Sequence, residues 1–247
     1  MPSESPRDRA QELLASMTNL RRQARAARQA YWLPLLLFGV LIAAAAPLYV
    51  ESAEPAPLRA GTDGPALSGL GGGFLQKSTA LGWYWLAALV GGYLAGLAWY
   101  RWHGRRAGVQ TPTRSYVIAG LAGTLVGLAL PVVLEFLLFN TSGPVWGGTS
   151  RLTGPLLGLA NRGMLPHLVI AVGLAVLARL ERSRSLRVVV GLYTVVLVAV
   201  NAWFQLSDLQ PGDLTRFSFM LAAVLPAPVL LIGGGLALAA AKKQHNR

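Results

Sequence analysis

Four polar side chains interrupt apolar stretches of this sequence: Glu135, His167, Asn201 and Gln205. Ionisable and amide groups are costly inside a hydrocarbon core, and a residue of this kind is therefore a candidate functional residue. Asn201 and Gln205 are four positions apart, so they share one face of a helix. Counting along the apolar stretches places all four near one membrane boundary. We therefore predict an intramembrane polar cluster at that depth.

Two members of this cluster could perform acid–base chemistry. A carboxylate and an imidazole can take and give a proton, so Glu135 and His167 are the candidate catalytic residues. The alternative is that these groups, which lie close to an interface, extend to water and have no chemical role. Four charged residues are predicted at the rim of the cluster: Arg162, Asp208, Asp213 and Arg216.

Several other chemistries are excluded by composition. The chain has no cysteine, so disulfides, thiolate metal sites and cysteine nucleophiles are ruled out. It has three histidines, and two of them lie on the opposite side of the membrane from His167 in the topology derived below, which rules out a bis-histidine haem within one chain. The sequence contains no HExxH, GxSxG or Walker motif. We predict no cofactor and no metal site.

The elements that carry these residues are predicted to be transmembrane helices. The chain is 53% hydrophobic and 13% charged, whereas soluble domains carry about 25% charged residues. Six apolar stretches are long enough, or nearly so, to cross a ~30 Å hydrocarbon core. The predicted fold is therefore an all-α, polytopic membrane bundle of six helices, at about 32–50, 80–100, 115–139, 164–180, 188–206 and 217–241. The last is predicted to be interrupted by Pro226, Pro228 and the glycines 233–235.

Charge distribution predicts the orientation of the bundle. With the N-terminus inside, 17 of the 22 lysines and arginines lie in cytoplasmic segments and five lie outside. Both termini are therefore predicted to be cytoplasmic, and residues 51–79 form an extracytoplasmic loop. The net charge of +12 then reflects topology, and we predict no nucleic-acid partner. Arginine outnumbers lysine nineteen to three, which indicates a high-GC bacterial source and hence a bacterial cytoplasmic membrane.

The segments 80–100 and 115–139 form a predicted transmembrane hairpin. Trp83, Tyr84 and Trp85 at one end and Trp99, Tyr100 and Trp102 at the other are typical of aromatic belts at two membrane interfaces. Each segment also carries a GxxxG pair in the half nearest the shared loop, and small residues allow close helix packing. The predicted packing residues are Gly92, Gly96, Gly123 and Gly127.

Residues 1–30 are predicted to form a separate cytoplasmic amphipathic helix, followed by the transmembrane domain at 31–247. Its apolar stripe includes Leu13, Met17 and Leu20. Its basic end would contact anionic headgroups through Arg21, Arg22, Arg25 and Arg28. A short coiled-coil contact with a partner protein or with a second copy is the alternative.

Three functions remain compatible with these features. The leading hypothesis is a transport-type or permease-like subunit that works with a cytoplasmic ATPase or regulator, because broken helices and an amphipathic N-terminal helix suit a moving bundle. The second is a membrane-embedded enzyme that acts on a lipid-like substrate through Glu135 and His167. The third is a membrane sensor or scaffold that signals through residues 1–30. The lipid bilayer is a partner in all three.

Overall fold

The structure is a computed structural model that describes residues 17, 31–50, 70–72, 75–106, 158–160, 162–181, 183–206 and 218–245. This part of the chain is 89% helical and contains no strand. The predicted all-α class is thereby confirmed for the described residues. The predicted third span, 115–139, lies outside them, and so does the N-terminal helix except for Met17, which is helical and exposed.

The first helix, α1, spans Trp32–Ala45 and continues into a 3₁₀ turn at Ala46–Leu48. Pro47 lies in that turn, where a residue without an N–H ends the α-helical hydrogen bonding. The second helix, α2, spans Ser78–Arg106 and is longer at both ends than the predicted 80–100. A hydrogen bond from the Tyr84 hydroxyl to the Leu41 carbonyl, 2.6 Å long, ties α2 to α1.

The next two helices form a tight pair. Helix α3 spans Leu165–Glu181 and helix α4 spans Arg184–Leu206, so only two residues separate them. The Ser183 hydroxyl accepts a hydrogen bond from the N–H of Leu186 at 3.4 Å and thereby caps the start of α4. Because the connection is so short, α3 and α4 pack against each other as neighbours.

The last predicted span is two helices. Helix α5 spans Ser218–Val224 and helix α6 spans Ala227–His245, with a turn at residues 225–226 between them. Pro226 and Pro228 explain the break, since neither can donate the backbone hydrogen bond that a continuous helix needs. The predicted interruption at glycines 233–235 is wrong, because α6 runs through them without a break.

Those glycines are packing positions. A Cβ atom on Gly233 would lie 2.7 Å from the Val189 side chain, and one on Gly234 would lie 2.8 Å from the Leu36 side chain. Helix α6 therefore approaches α4 on one face and α1 on another, and α1 is its most extensive neighbour. Small residues allow this approach, as is usual for helices that pack within a membrane.

Three helical stretches of the described part are long and apolar enough to cross a membrane: Ser78–Trp102 in α2, Arg184–Phe204 in α4, and Ser218–Lys243, which α5 and α6 form together. A shorter apolar helix covers Trp32–Leu48. Large apolar side chains on the outer surface, such as Val188 and Leu236, are 70% and 69% exposed. A bundle that places such groups outward is compatible with a surrounding bilayer.

Candidate functional site

Four side chains from four parts of the chain meet in the core. His167 of α3 is 0% exposed, and so are Tyr49, Trp85 of α2 and Tyr193 of α4. The imidazole lies edge-on to two of the aromatic rings, with centroids 5.3 Å from Trp85 and 6.2 Å from Tyr49. These residues, Tyr49, Trp85, His167 and Tyr193, are called the His167 cluster below.

Hydrogen bonds hold the cluster together. The Trp85 indole N–H donates to the Tyr49 hydroxyl at 3.0 Å, and that hydroxyl donates to the Gly163 carbonyl at 2.7 Å. The Tyr193 hydroxyl donates to the backbone carbonyl of His167 at 3.3 Å. Buried polar groups cost free energy unless they are paired, so each of these bonds helps to specify a single arrangement of the core.

A tight turn before α3 brings Gly163 to the cluster. Gly163 has φ of +69°, a conformation that favours glycine. Space also requires glycine there, because an added Cβ would lie 3.0 Å from the carbonyl oxygen of Gly71. Helix α3 then begins at Leu165 with Pro166 in its first turn, where the missing N–H carries no cost. His167 is thereby placed within the first turn of α3.

The imidazole of His167 reaches the break between α5 and α6. Its Nε2 atom lies 3.0 Å from the carbonyl oxygen of Ala223, in the last turn of α5. Carbonyls at a helix end lack intrahelical donors, and the prolines that follow remove two further N–H groups. A carbonyl oxygen can only accept, so Nε2 carries the proton in this bond. His167 therefore bridges α3 and the interrupted helix.

The other ring nitrogen has no partner. Nδ1 of His167 is buried and makes no hydrogen bond within the described part of the chain. With Nε2 protonated, Nδ1 of the neutral ring is an acceptor with an unused lone pair. An unpaired buried acceptor of this kind calls for an explanation in terms of function, strain or an unseen group.

The cluster does not resemble a metal centre. No group of three or more His, Cys, Asp or Glu side chains comes together among the residues that the structure describes. All four members are aromatic, and the hydrogen bonds that they make run to backbone carbonyls or to one another, with Nδ1 of His167 left over. What the arrangement can do is couple the position of α3 to that of the helix break, through one imidazole.

One residue predicted at the rim, Arg162, contacts one of the predicted amide residues, Asn201. Arg162, 9% exposed, donates from its guanidinium to the Asn201 side-chain oxygen at 3.1 Å. The same guanidinium lies over the Phe204 ring, 4.9 Å from the centroid, and burial lowers the pKa of Arg162. Two of the predicted residues are thus in contact with each other, although His167 binds elsewhere.

The remaining predicted site residues stay predictions. The side chain of Gln205 lies outside the described part, and so do these residues: Glu135, Asp208, Asp213, Arg216, Gly123, Gly127, Leu13, Leu20, Arg21, Arg22, Arg25 and Arg28. Gly92 does pack closely, but against α1, since an added Cβ would lie 3.1 Å from the Phe38 ring. An added Cβ on Gly96 meets no atom of the described residues within 4 Å.

Two features of the site were missed from the sequence. Trp85 belongs to the core at 0% exposure, whereas Trp83, two positions earlier, is 57% exposed as a belt residue would be. Glu181, at the end of α3, accepts a hydrogen bond from the Tyr100 hydroxyl, while its Oε2 is buried without a partner among the described residues. The sequence did contain a signal for Glu181, since it is the one acid in a strongly basic segment.

Glu181 lies just beyond the predicted span 164–180. Burial raises the pKa of its carboxyl to about 7, and the Tyr100 hydrogen bond opposes that rise. Near neutral pH the group therefore titrates. It is the single acidic residue of the described part of the chain.

Comparison with known proteins adds no functional information. No protein-family model, no curated protein and no solved structure matches this chain.

Proposed function

We propose that this chain is a transport-type or permease-like membrane subunit that works with a cytoplasmic partner. The observation that carries the proposal is the bond between His167 Nε2 and the Ala223 carbonyl at the break between α5 and α6. Interrupted membrane helices with freed backbone groups are where transporters bind and move their cargo. Here an ionisable side chain lies at such an interruption, with its second nitrogen unused.

The proposal includes the full predicted architecture. Six spans, both termini in the cytoplasm and a bacterial cytoplasmic membrane would place the basic segments on the inner side. Residues 1–30 would then be the contact for an ATPase or regulator. Co-purification of such a partner with the full-length chain, and its loss on deletion of residues 1–30, is the expected result.

An enzyme that uses His167 as a base is less well supported. A catalytic base must come within hydrogen-bonding distance of a substrate, but His167 is 0% exposed and its Nε2 is hydrogen-bonded to the Ala223 carbonyl.

A sensor has one observation in its favour. The Tyr31 hydroxyl lies 2.6 Å from the Ser185 hydroxyl, so the residue that follows the N-terminal segment is tied to the start of α4. We keep the sensor as the second candidate.

Cysteine accessibility tests whether the break moves, and it needs no knowledge of the cargo. Because the chain has no native cysteine, a single-cysteine variant is labelled at one position only. Ala227 begins α6 at the break and is 1% exposed, and Ala178 of α3 is 2% exposed. Ala178 lies eleven residues from His167, roughly 16 Å along the helix, and supplies the matched control.

Both variants are treated with a membrane-impermeant thiol reagent in right-side-out and inverted membrane vesicles. A moving bundle should make Ala227→Cys react at least about tenfold faster than Ala178→Cys, from one or both sides. Equal and negligible rates at the two positions would contradict the transport proposal and leave the sensor.

In the same vesicles, Ser183→Cys should react from the cytoplasmic side and Gly212→Cys from the opposite side. Labelling of both from one side would contradict the six-span topology.

A further inference from the structure

The guanidinium of Arg162 is a buried positive charge. Arg162 is 9% exposed, and charged side chains are almost never buried to this degree unless an opposite charge accompanies them. The one acid of the described part of the chain, Glu181, ends α3, which starts at Leu165 and is roughly 24 Å long. Glu181 also accepts the hydrogen bond of Tyr100. No carboxylate of the described residues therefore neutralises Arg162.

Contacts on two sides hold the guanidinium in place. Its Nη1 atom donates to the side-chain oxygen of Asn201 at 3.1 Å, and its central carbon lies 4.9 Å from the centroid of the Phe204 ring. That ring is itself fixed, since Phe204 is 9% exposed and lies 5.7 Å from the Phe219 ring. An arginine that only made the surface polar would extend its head group into water. These residues, Arg162, Asn201 and Phe204, are called the Arg162 site below.

The Arg162 site presents mainly hydrogen-bond donors. A guanidinium has five N–H donors and no acceptor, so the Asn201 side chain must turn its oxygen to Arg162, and its amide N–H groups can donate elsewhere. The other guanidinium nitrogens and this amide nitrogen have no partner among the described residues, and none of them is among the buried unpaired atoms there, so they are open to the surface. A planar fork of charged donors matches two oxygens of a carboxylate or phosphate group.

The site lies near one end of the bundle. Asn201 comes five residues before Leu206, where α4 ends, so roughly 8 Å of helix remain beyond it. Ser185, which pairs with Tyr31, is at the other end of α4, roughly 24 Å from Asn201 along the helix. A ligand would therefore reach Arg162 from the side opposite the N-terminal segment, which is the extracytoplasmic side in the predicted topology.

We propose that the Arg162 site binds an oxyanion, the carboxylate or phosphate group of a ligand that arrives from this side. The guanidinium supplies the charge and parallel N–H donors, the Asn201 amide supplies a further donor, and the Phe204 ring fixes the plane of the guanidinium. A neutral ligand would leave the buried charge without compensation, and a cation would be repelled. The site does not depend on the transport proposal, because it requires neither movement of the helix break nor a cytoplasmic partner.

Thermal unfolding of the delipidated full-length protein in detergent tests the site. The soluble probes are sodium phosphate and sodium acetate, compared with sodium chloride at equal ionic strength, and the lipid probes are dioleoyl phosphatidylglycerol and dioleoyl phosphatidylcholine. At least one anionic probe, at roughly ten times its dissociation constant, should raise the melting temperature by about 3–6 °C, because it binds only the folded state. Arg162→Gln should abolish this rise. Arg187→Gln, at an exposed position near the other end of α4, is the matched control and should keep it.

An internal carboxylate supplies the second test. Asn201→Asp keeps the shape of the side chain and places a negative charge at the oxygen that Arg162 already contacts at 3.1 Å. We expect this variant to melt at a higher temperature than the unaltered protein when no probe is added, and to lose most of its response to the probes. In the double variant, Arg162→Gln with Asn201→Asp, the gain should disappear, because the new carboxylate has no cation to bind.

The probes also identify the source of the oxyanion. A rise with phosphate or acetate indicates a soluble anion, whereas a rise with phosphatidylglycerol alone indicates a lipid headgroup. A rise that Arg162→Gln retains in full would overturn the proposal, and so would the lack of any rise in the unaltered protein. A lower melting temperature for Asn201→Asp would overturn it too, because it would show that an acid of this chain outside the described residues already neutralises Arg162. If Arg162→Gln does not fold, Asn201→Asp decides.

Discussion

Replacing Tyr49 with phenylalanine should destabilise the protein more than any other single hydroxyl deletion in the His167 cluster. Tyr49 is 0% exposed, and its hydroxyl makes two bonds. It accepts from the Trp85 indole at 3.0 Å and donates to the Gly163 carbonyl at 2.7 Å. Phenylalanine keeps the ring, so the substitution removes one oxygen and leaves a donor and an acceptor unpaired in the core.

The magnitude follows from the count of orphaned groups. A buried donor or acceptor left without a partner costs about 1–3 kcal/mol, and interhelical hydrogen bonds in membrane proteins average about 0.6 kcal/mol. At these values two orphaned groups would cost between about 1 and 6 kcal/mol, and we expect a loss near the middle of that range, about 2–4 kcal/mol. Tyr193→Phe is the matched control, because the Tyr193 hydroxyl makes one longer bond of 3.3 Å to a carbonyl within α3. Its expected cost is below about 1 kcal/mol.

The assay is reversible unfolding of the purified protein in mixed micelles, with increasing SDS, followed by helical circular dichroism. Near-ultraviolet dichroism should also change for Tyr49→Phe, since the Trp85 indole loses its acceptor. If Tyr49→Phe costs no more than Tyr193→Phe, the hydrogen-bonded chain from Trp85 to Gly163 does not stabilise the core. The account of how α3 is positioned would then be wrong.

Two other predictions concern helix packing and pH. Gly234→Ala should lower the free energy of unfolding by about 1–3 kcal/mol, because its Cβ would lie 2.8 Å from the Leu36 side chain and 3.1 Å from the Leu36 nitrogen. Gly235→Ala, whose Cβ meets no described atom within 4 Å, should instead be neutral or stabilising by up to about 1 kcal/mol in the same unfolding assay. Burial raises the pKa of Glu181 from its usual 4.5 to about 7, so the folded state holds an extra proton between these values. Stability should therefore fall as pH rises from about 4.5 to 7, and thermal melts of Glu181→Gln should lack that fall, whereas an unchanged pH profile would show that another group titrates.

Local physical chemistry in the sequence was enough to predict the helical segments of the described part of the chain. An apolar run as long as a bilayer is thick has few alternatives to a helix, because its backbone groups must pair internally. The break in the last span is local as well, since Pro226 and Pro228 each lack an N–H whatever surrounds them. For that reason the prediction at the prolines is confirmed, whereas the prediction at glycines 233–235 failed. Glycine permits a break in a helix but does not force one as proline does. Helix α6 continues through Gly234, which packs closely against Leu36.

The partners of the site residues were decided by tertiary structure alone. Trp83 and Trp85 are the same residue type two positions apart, yet roughly 200° of helix rotation separates them, and one faces outward while the other is fully buried. Nothing in the sequence near Trp85 indicates that Tyr49, 36 positions earlier, will accept its hydrogen bond. Likewise His167 binds the Ala223 carbonyl 56 positions away, because the turn at Gly163 and the break after α5 bring these two atoms together. Residue type and spacing predict which groups need a partner, but only the packing of α3 against the interrupted helix determines which partner each one finds.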